Sequence, residues 1–548
     1  MNLEVKGHSG CQIDIVPESD GLYVYKSTAD PKYLKRLALQ AEKQQKASQT
    51  KYQHIRIPEI VSLEQTGTET IVKMPYIYSK NFIEFFEQAG FEQIDYLINA
   101  LTFFIDDEIA HSPVQKVPAL KFHDKMDEIR MKCSKNRLFD DDAETDELLD
   151  KSEKVFKSLP EYMEIPIGTC HGDLTFSNIL FNGNNYYLID FLDNFIETPL
   201  QDICKLRQDT AYRWSQLMYT KRFDAVRLHI ICDKIDKAID EHFSGKYGWY
   251  NQYYHIMQLM NILRIFPYAK EQRVVDYLKR VISSLLTPST LNPSTLNPLN
   301  SEALNPLNSE ALNPLTPSPL KHLLIPAAAD KPEYENDLPY IFSLNSEGIV
   351  ICLKSILGLD LKQFDNIYFT ILKKHNDKFS ISDLLDLQFN RLGITNAKVV
   401  ILDEPTIDQS ETIYQTIKQE QIEGSIFIKD ADSYFKTEIT HTDSVAIYPI
   451  EDLVTLAPKD KSYVAVDDMF YITNIIEKSV IGHHISAGGY YIERATDFIN
   501  YYNRLRQHGK LYLSHIVYAM LLDKKSFRPM LVENYKDWGT LNDLRRNE

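Results

Sequence analysis

Between Thr287 and Leu320 the chain repeats itself in short proline-bearing units, and that stretch decides how the rest can be divided. PSTLN stands twice in tandem (Pro288–Asn292 and Pro293–Asn297), followed by PLNSEALN twice (Pro298–Asn305 and Pro306–Asn313). Proline lacks a backbone donor and its ring blocks a helix, so this density predicts an extended or disordered tether. Units this short cannot be solenoid repeats. A chain of 548 residues is too long for a single core. The expected division is therefore residues 1–285, a linker at 286–320, and residues 321–548.

The two halves differ in texture. In the first 70 or so residues, IDIV, LYVYK and ETIVKMPYI read as strands, and Tyr33–Ala47 carries helix formers. Residues 80–165 and 200–285 read as predominantly helical, flanking a strand–loop–strand core at 170–192. A small β-rich lobe on a larger helical lobe follows. After the linker, HLLIP, NIYFTIL, KVVIL, SIFIK and SYVAV alternate with polar helical stretches. That rhythm predicts a mostly parallel α/β sheet.

Charge narrows the function classes. There are 77 acidic against 60 basic residues, a formal charge of −17, which argues against a nucleic-acid partner. It leaves nucleotides open, since one or two local cations suffice for them. No apolar run approaches the ~20 residues that span a bilayer, and MNLEVKGHSG lacks a signal-peptide pattern. The expectation is a cytoplasmic protein acting on small molecules, its oligomeric state open. Six scattered cysteines without CxxC spacing read as buried free thiols.

The strongest chemical pattern is His171-Gly-Asp-Leu-Thr-Phe-Ser-Asn178 followed by Tyr187-Leu-Ile-Asp190-Phe191. Phosphoryl transfer asks little of a protein: one carboxylate at the acceptor hydroxyl and oxygen ligands for Mg²⁺ on the phosphates. Asp173 would orient the hydroxyl and take its proton; Asn178 and Asp190 would hold the metal. These pieces resemble the aminoglycoside phosphotransferase and choline kinase family, relatives of the protein kinases. The resemblance implies an α+β bilobal protein-kinase-like fold using ATP and Mg²⁺. It also implies a buried Lys26–Glu42 pair aiming Lys26 at the α- and β-phosphates. Val5-Lys-Gly7-His-Ser-Gly10-Cys is expected to form a turn over the phosphates, where Gly7 and Gly10 allow close backbone approach. Met74 opens Met74-Pro-Tyr-Ile77, the expected adenine-contacting hinge. His171 is expected to brace the catalytic loop, and Asp202 to anchor it.

A second constellation follows the linker. Ser425-Ile-Phe-Ile-Lys-Asp430-Ala-Asp432 delivers two carboxylates at the carboxyl end of a buried strand, where α/β sheets place their sites. Val532-Glu-Asn-Tyr-Lys-Asp537-Trp-Gly-Thr540 supplies a third. Between them lie Ile475-Ile-Glu477-Lys478 and Ser486-Ala-Gly-Gly489-Tyr-Tyr491. These pieces look like the sugar nucleotidyltransferases, which implies an α/β, Rossmann-like fold of GT-A type. By that likeness Asp432 and Asp537, with Asp430 as a further candidate, hold the metal. Glu477, Lys478 and Gly489 would hold a sugar phosphate, and Gln409 lies near the base and sugar. The sequence departs from the family at its opening, Leu323-Leu-Ile-Pro-Ala-Ala-Ala-Asp330-Lys331…Pro339-Tyr340. Ala and Asp replace the phosphate-cradling glycines, Tyr340 follows the proline in place of lysine, and Lys331 remains as an out-of-register cation.

The combined expectation is a bifunctional enzyme. Residues 1–285 phosphorylate a small hydroxyl compound, a sugar or polyol, with ATP. Residues 321–548 join the product to CTP, UTP or another NTP, giving a precursor for surface polysaccharide such as capsule. Two alternatives stand beside it: a choline or ethanolamine kinase joined to a cytidylyltransferase, and an active kinase joined to a non-catalytic nucleotide-binding module.

Overall fold

A hairpin opens the described chain, built from β-branched and aromatic residues that suit a pleated, half-buried surface. β1 (Gln12–Glu18) pairs antiparallel with β2 (Gly21–Thr28). The computed structural model describes residues 11–183, 185–287, 320–329, 338–453, 461–539 and 543–544. Gly7, Gly10, Lys331 and the proline-bearing repeats lie outside the described residues.

The chain forms two compact units. The first comprises Met1–Phe86, Asp95–Phe223 and Ile231–Asn308; the second comprises Glu87–Ile94, Asp224–Ile230 and Ser309–Glu548. In the first unit, α1 (Leu34–Ser48) follows β2, and β3 (Ile55–Arg56), β4 (Ser62–Gln65) and β5 (Thr70–Pro75) come next. The sheet runs β1-β2-β5-β4, so β2 is interior and Lys26 on it is buried. Leu37 and Ala41, one turn apart on α1, pack against Cys11, Val72 and Met74. That four-residue spacing sets one helix face on the sheet.

The rest of the first unit is mainly helical: α2 (Phe82–Gln88), α3 (Phe91–Ala110), α4 (Leu120–Cys133), α5 (Ala143–Lys157), α6 (Pro199–Thr210), α7 (Trp214–Leu217), α8 (Ala225–Ser244), α9 (Gly248–Leu263) and α10 (Gln272–Leu285). The initial turns of α3 and α8 fall in the second unit. Two small ribbons interrupt the helices. β6 (Val114–Pro118) pairs with β7 (Tyr162–Pro166), and β8 (Ile179–Asn182) forms a hairpin with β9 (Asn185–Leu188), which also takes β3 alongside. α6 starts sharply: Thr198 accepts the Leu200 amide, and Pro199 occupies the first turn, where its missing N–H costs nothing. The small sheet lobe and larger helical lobe match the expected bilobal class.

In the second unit β10 (Lys321–Ala327), β11 (Asn366–Leu372), β12 (Ala397–Leu402) and β13 (Ser425–Lys429) are parallel, in the spatial order β12-β11-β10-β13. The order reverses between β10 and β13, the switch point where doubly wound sheets open a crevice beyond their strand ends. Beyond β13 the sheet turns mixed. β14 (Ser433–Lys436) leaves it, then β15 (Ser444–Pro449), β16 (Ser462–Val466), β17 (Ile472–Glu477) and β18 (His484–Ile492) follow. β18 runs antiparallel to β13, β15 and β16, while β19 (Arg528–Leu531) runs parallel to β15. The expected mostly parallel sheet is thus wholly parallel only from β12 to β13 and mixed beyond. SYVAV, now β16, is antiparallel. Strands buried on both faces are apolar whatever their direction, so the pattern carries no sign of it. β20 (Glu533–Asp537) pairs with β14 outside the main sheet.

All six cysteines are free and buried. No helix among the described residues is long and apolar enough to cross a membrane.

Gly489 shows how tightly the second sheet is packed. A methyl group there would stand 2.8 Å from the Phe435 ring and 2.9 Å from the Ala446 methyl. Gly489→Ala should therefore destabilise the second unit by about 1–3 kcal/mol, read as an earlier urea-unfolding transition.

Candidate active site

The loop from His171 to Asn178 is organised from behind by one face of α6. Asp202 accepts the backbone amides of His171 (2.5 Å) and Gly172 (2.6 Å). One turn on, Lys205 Nζ stands 3.0 Å from Asp173 Oδ1. One further turn on, Asp209 accepts the Phe176 amide at 2.6 Å, and the Ser215 amide and hydroxyl as well. His171 is fully buried, accepts the Asp173 amide at Nδ1 (3.1 Å) and bonds the Ile189 carbonyl through Nε2 (2.9 Å). Those contacts assign the proton to Nε2, and burial holds the ring below its ordinary pKa, hence neutral. It ties the loop to the strand before Asp190.

Asp173 is thereby presented as an ionised carboxylate. Burial works to raise its pKa, but the Lys205 ammonium and the Asn178 amide outweigh it and hold it below the usual carboxylate range. Asn178 donates its amide to the Asp173 carbonyl (2.8 Å) and to Oδ2 (3.0 Å). Its Oδ1 is an acceptor by nature. The Asn178 carbonyl accepts the Ile189 amide at 3.1 Å, which sets Asp190 beside it. Asp190 has a positive φ of 63°, a strained backbone of the kind that gathers at functional sites.

On the sheet side, Lys26 Nζ donates to Asp190 Oδ1 at 2.8 Å. Burial opposes its charge, but Asp190 more than compensates and its pKa is raised. A small cavity beside this pair is lined by Gln40, Gln44, Val72, Met74 and Phe191. Two expectations are corrected here. Glu42 is exposed and does not pair with Lys26; α1 turns Gln40 and Gln44 to the cavity, and two residues from either lies the opposite face at 100° per residue. Its neighbour Lys43 is the residue that reaches inward, donating to the Leu192 carbonyl (2.6 Å) and Glu197 (2.7 Å). Met74, expected at the hinge, lies within β5, buried in the lobe core against Gln44.

The second unit gathers its acids at the switch point. β14 pairs with β20 so that Ser433 faces Asp537, and the Trp538 amide donates to the Asp432 carbonyl at 2.8 Å. Asp432 and Asp537, a hundred residues apart in sequence, therefore sit side by side. Asp430 accepts Gln409 Nε2 at 2.6 Å, so Gln409 is brought to the acids from the first residue of helix Gln409–Gln419. Burial and the neighbouring Asp432 both push the Asp430 carboxyl up. Gly488, at φ 83°, accepts the Asp430 amide with its carbonyl, and a side chain there would strike the carboxylate. Gly489, named from sequence, points into the sheet instead. Adjacent strand residues face opposite ways, so the glycine at the acids is Gly488. Glu477 accepts the Ser462 and Ser514 hydroxyls, while Lys478 is exposed and reaches Tyr512. Tyr340 donates to the Gly539 carbonyl (2.9 Å) and lies 3.5 Å from Asp432.

Residues 111–229 match the family model described as "Phosphotransferase enzyme family". This part of the chain is a phosphotransferase domain. No curated protein matches the chain. Among solved structures, the nucleoside-diphosphate-sugar pyrophosphorylase from Vibrio cholerae RC9 is similar at 15% identity and TM-score 0.35, over 41% of this chain and 98% of that one. The inositol-1-phosphate CTP transferase from T. maritima is similar at 13% and 0.34, over 42% and 93%. A thermostable aminoglycoside phosphotransferase in ternary complex with ADP and hygromycin B is similar at 9% and 0.37, over 52% and 93%.

Three lysines of these sites escape a motif reading. Lys205 of the phosphotransferase domain is a basic residue in a mid-helix position, and only its spacing of three from Asp202 hints at it. Lys461 pairs with Asp537 and donates to the Tyr535 hydroxyl; burial opposes its charge, and these partners raise its pKa. Lys429 is fully buried under the Asp430–Ser433 turn. Its three donors go to the Asp430 and Ser433 carbonyls and the Ser433 hydroxyl, at 2.7–2.8 Å. Such a satisfied ammonium fixes the turn that carries Asp430 and Asp432. Among the described residues no three His, Cys, Asp or Glu side chains converge as a self-sufficient metal centre.

Removing the Lys429 ammonium takes a buried donor from the Asp430 and Ser433 carbonyls and from the Ser433 hydroxyl, which keeps its bond to the Ala487 carbonyl. Lys429→Met should cost roughly 2–4 kcal/mol of second-unit stability, measured by chemical denaturation, while leaving the first unit's transition in place.

Proposed function

We propose that residues 1–285 and 321–548 are two enzymes in one chain, joined by the proline-bearing segment 286–320. The first transfers the γ-phosphoryl group of ATP to the hydroxyl of a small sugar or polyol. The acceptor oxygen attacks phosphorus, its proton passes to the Asp173 carboxylate, and ADP leaves. The observation that carries this reading is the ionised Asp173, held by Lys205 and Asn178 in the loop abutting Asp190. Asn178 Oδ1 and the Asp190 carboxylate are hard oxygen donors, the kind Mg²⁺ takes in ones and twos alongside substrate phosphates. They fit that ion, which when bound neutralises phosphate charge. Lys26, already turned to Asp190, suits the α- and β-phosphates.

The second enzyme would join the phosphorylated product to CTP, UTP or another NTP and release pyrophosphate. Supporting it are Asp432 and Asp537 brought side by side at a switch point, with Asp430 and Gln409 adjoining. Their carboxylates too are Mg²⁺-type donors, and Lys461 is a cation in reach of Asp537. Such a pair in sequence would make an activated precursor for surface polysaccharide, in the cytoplasm where both nucleotides are found. A second reading keeps the kinase and makes the second unit a nucleotide-binding module. It is favoured by Tyr340, which stands against Asp432 where the family carries a lysine.

Asp173→Asn should reduce ADP release at least 10³-fold and leave pyrophosphate release unchanged, with Asp537→Asn doing the converse. Loss of both reactions from either folded variant would sink the two-site reading, and silence with every NTP would favour the module. Lys205→Met removes the cation that favours the ionised Asp173, so the carboxyl pKa rises. The acid limb of kcat/KM should move to higher pH, checked by a pH–rate profile.

A further inference from the structure

The cleft beside Asp173 carries a guanidinium that phosphoryl transfer as described does not use. Arg264 follows the last turn of α9 and is half-buried. It donates to Asn194 Oδ1 at 3.0 Å, and Asn194 in turn donates to the Gly172 carbonyl at 2.9 Å. Two hydrogen bonds thus separate Arg264 from the peptide that carries Asp173. The Asn194 amide is pinned to Glu197 at 2.7 Å, and the guanidinium lies over the Phe195 ring, 5.1 Å from its centre. Its position is therefore fixed by loop, ring and helix together.

What it lacks is a carboxylate. The other interior arginines of this unit have one: Arg207 pairs with Asp236 and Asp240, and Arg130 with Asp150 and Glu153. No described carboxylate pairs with Arg264. The charges that face it are Asp173, Arg36 and Glu128; Glu128 is held by Lys125 and Lys132, and Asp173 by Lys205. Asp193, exposed on the same loop, makes no ion pair with it. A planar fork of donors matches carboxylate or phosphate two-pronged, whereas an ammonium-bearing acceptor would meet Lys205 and Arg264 with like charge.

Resting on the kinase reading of this site, we infer that Arg264 binds an anionic group of the acceptor, which is a hydroxyl compound bearing a carboxylate or phosphate. Amino alcohols and cationic sugars are excluded by the same charges. The nucleotide is served from the other lobe, by Lys26 on β2.

The test uses the full chain, ATP and Mg²⁺, with ADP release read for a matched panel: a neutral polyol, its aldonic acid, its monophosphate and its amino analogue. An anionic member should exceed the neutral one about tenfold or more in kcat/KM, since a charge-assisted hydrogen bond is worth that much. Arg264→Gln should raise KM for that acceptor roughly 10–100-fold, with the KM for ATP unchanged and a much smaller effect on the neutral polyol. Arg264→Lys, which keeps the charge and loses the fork, should fall between. The inference is overturned if the neutral or amino compound is preferred. It is equally overturned if Arg264→Gln lowers kcat alike for every acceptor or raises the KM for ATP, which would assign the residue to the nucleotide phosphates. ADP release from no acceptor, or release undiminished in Asp173→Asn, would instead bring down the kinase reading itself.

Discussion

A loop cannot hold a catalytic-type carboxylate in place by its own backbone, and here the restraint comes from three polar side chains on one buried helix face. Asp202, Lys205 and Asp209 recur at steps of three and four, so α6 presents them in a row. Two of them accept loop amides and the middle one pairs with Asp173. Burying carboxylates is costly unless donors satisfy them, and orphaned amides in a buried loop are costly too. Each deficiency cancels the other. The loop geometry is then as rigid as the helix, whose start is fixed by Thr198 and Pro199. His171 continues the restraint to the strand before Asp190, so the acid side and the cation side of the cleft move as one piece.

That arrangement explains which parts were legible in sequence. His171, Asp173 and Asn178 are near neighbours in the chain, and a loop that short can put them together only in a few ways. The lobes could be read because strand and helix periodicities differ. Glu42 could not be placed, because its pairing with Lys26 is implied by resemblance alone: on α1 it lies two positions from the buried glutamines Gln40 and Gln44, and 200° of rotation takes it to solvent. The lysine on the sheet found its acid 164 residues away in Asp190, a pairing that tertiary structure alone provides. Asp202 could be read as an anchor, whereas Lys205 on the same face carries no motif.

In the second unit the strand ends were legible and the facing was not. Apolar runs located β10 to β13, and the two acids after β13 stand where the parallel order reverses. Period-two alternation makes a one-residue error invert the conclusion, which is why Gly489 is a packing glycine and Gly488 the one beside Asp430. Lys429 was invisible for a different reason. A lysine at the end of an apolar strand reads as a residue reaching for water, and only the closing of the Asp430–Ser433 turn over its ammonium supplies enough oxygen to bury it.

The two units share no fold, yet each meets the same electrostatic problem with the same residue. An acid poised for a cation is unfavourable while it stands unpaired in a half-buried cleft, and in each unit a lysine from a neighbouring segment answers it: Lys26 for Asp190, Lys461 for Asp537. A lysine paired in this way is already dehydrated and aimed. On the proposed reading, an entering phosphate and metal ion would give the acid a stronger partner and leave the ammonium facing phosphate, with little reorganisation asked of either side chain. Guanidinium would serve less well, since its fork holds a carboxylate by two bonds and releases it reluctantly. Where a durable anion contact is wanted, as at Arg264, the fork is the better choice. The division between lysine at the acids that must change partners and arginine at the contact that need not follows from that difference alone.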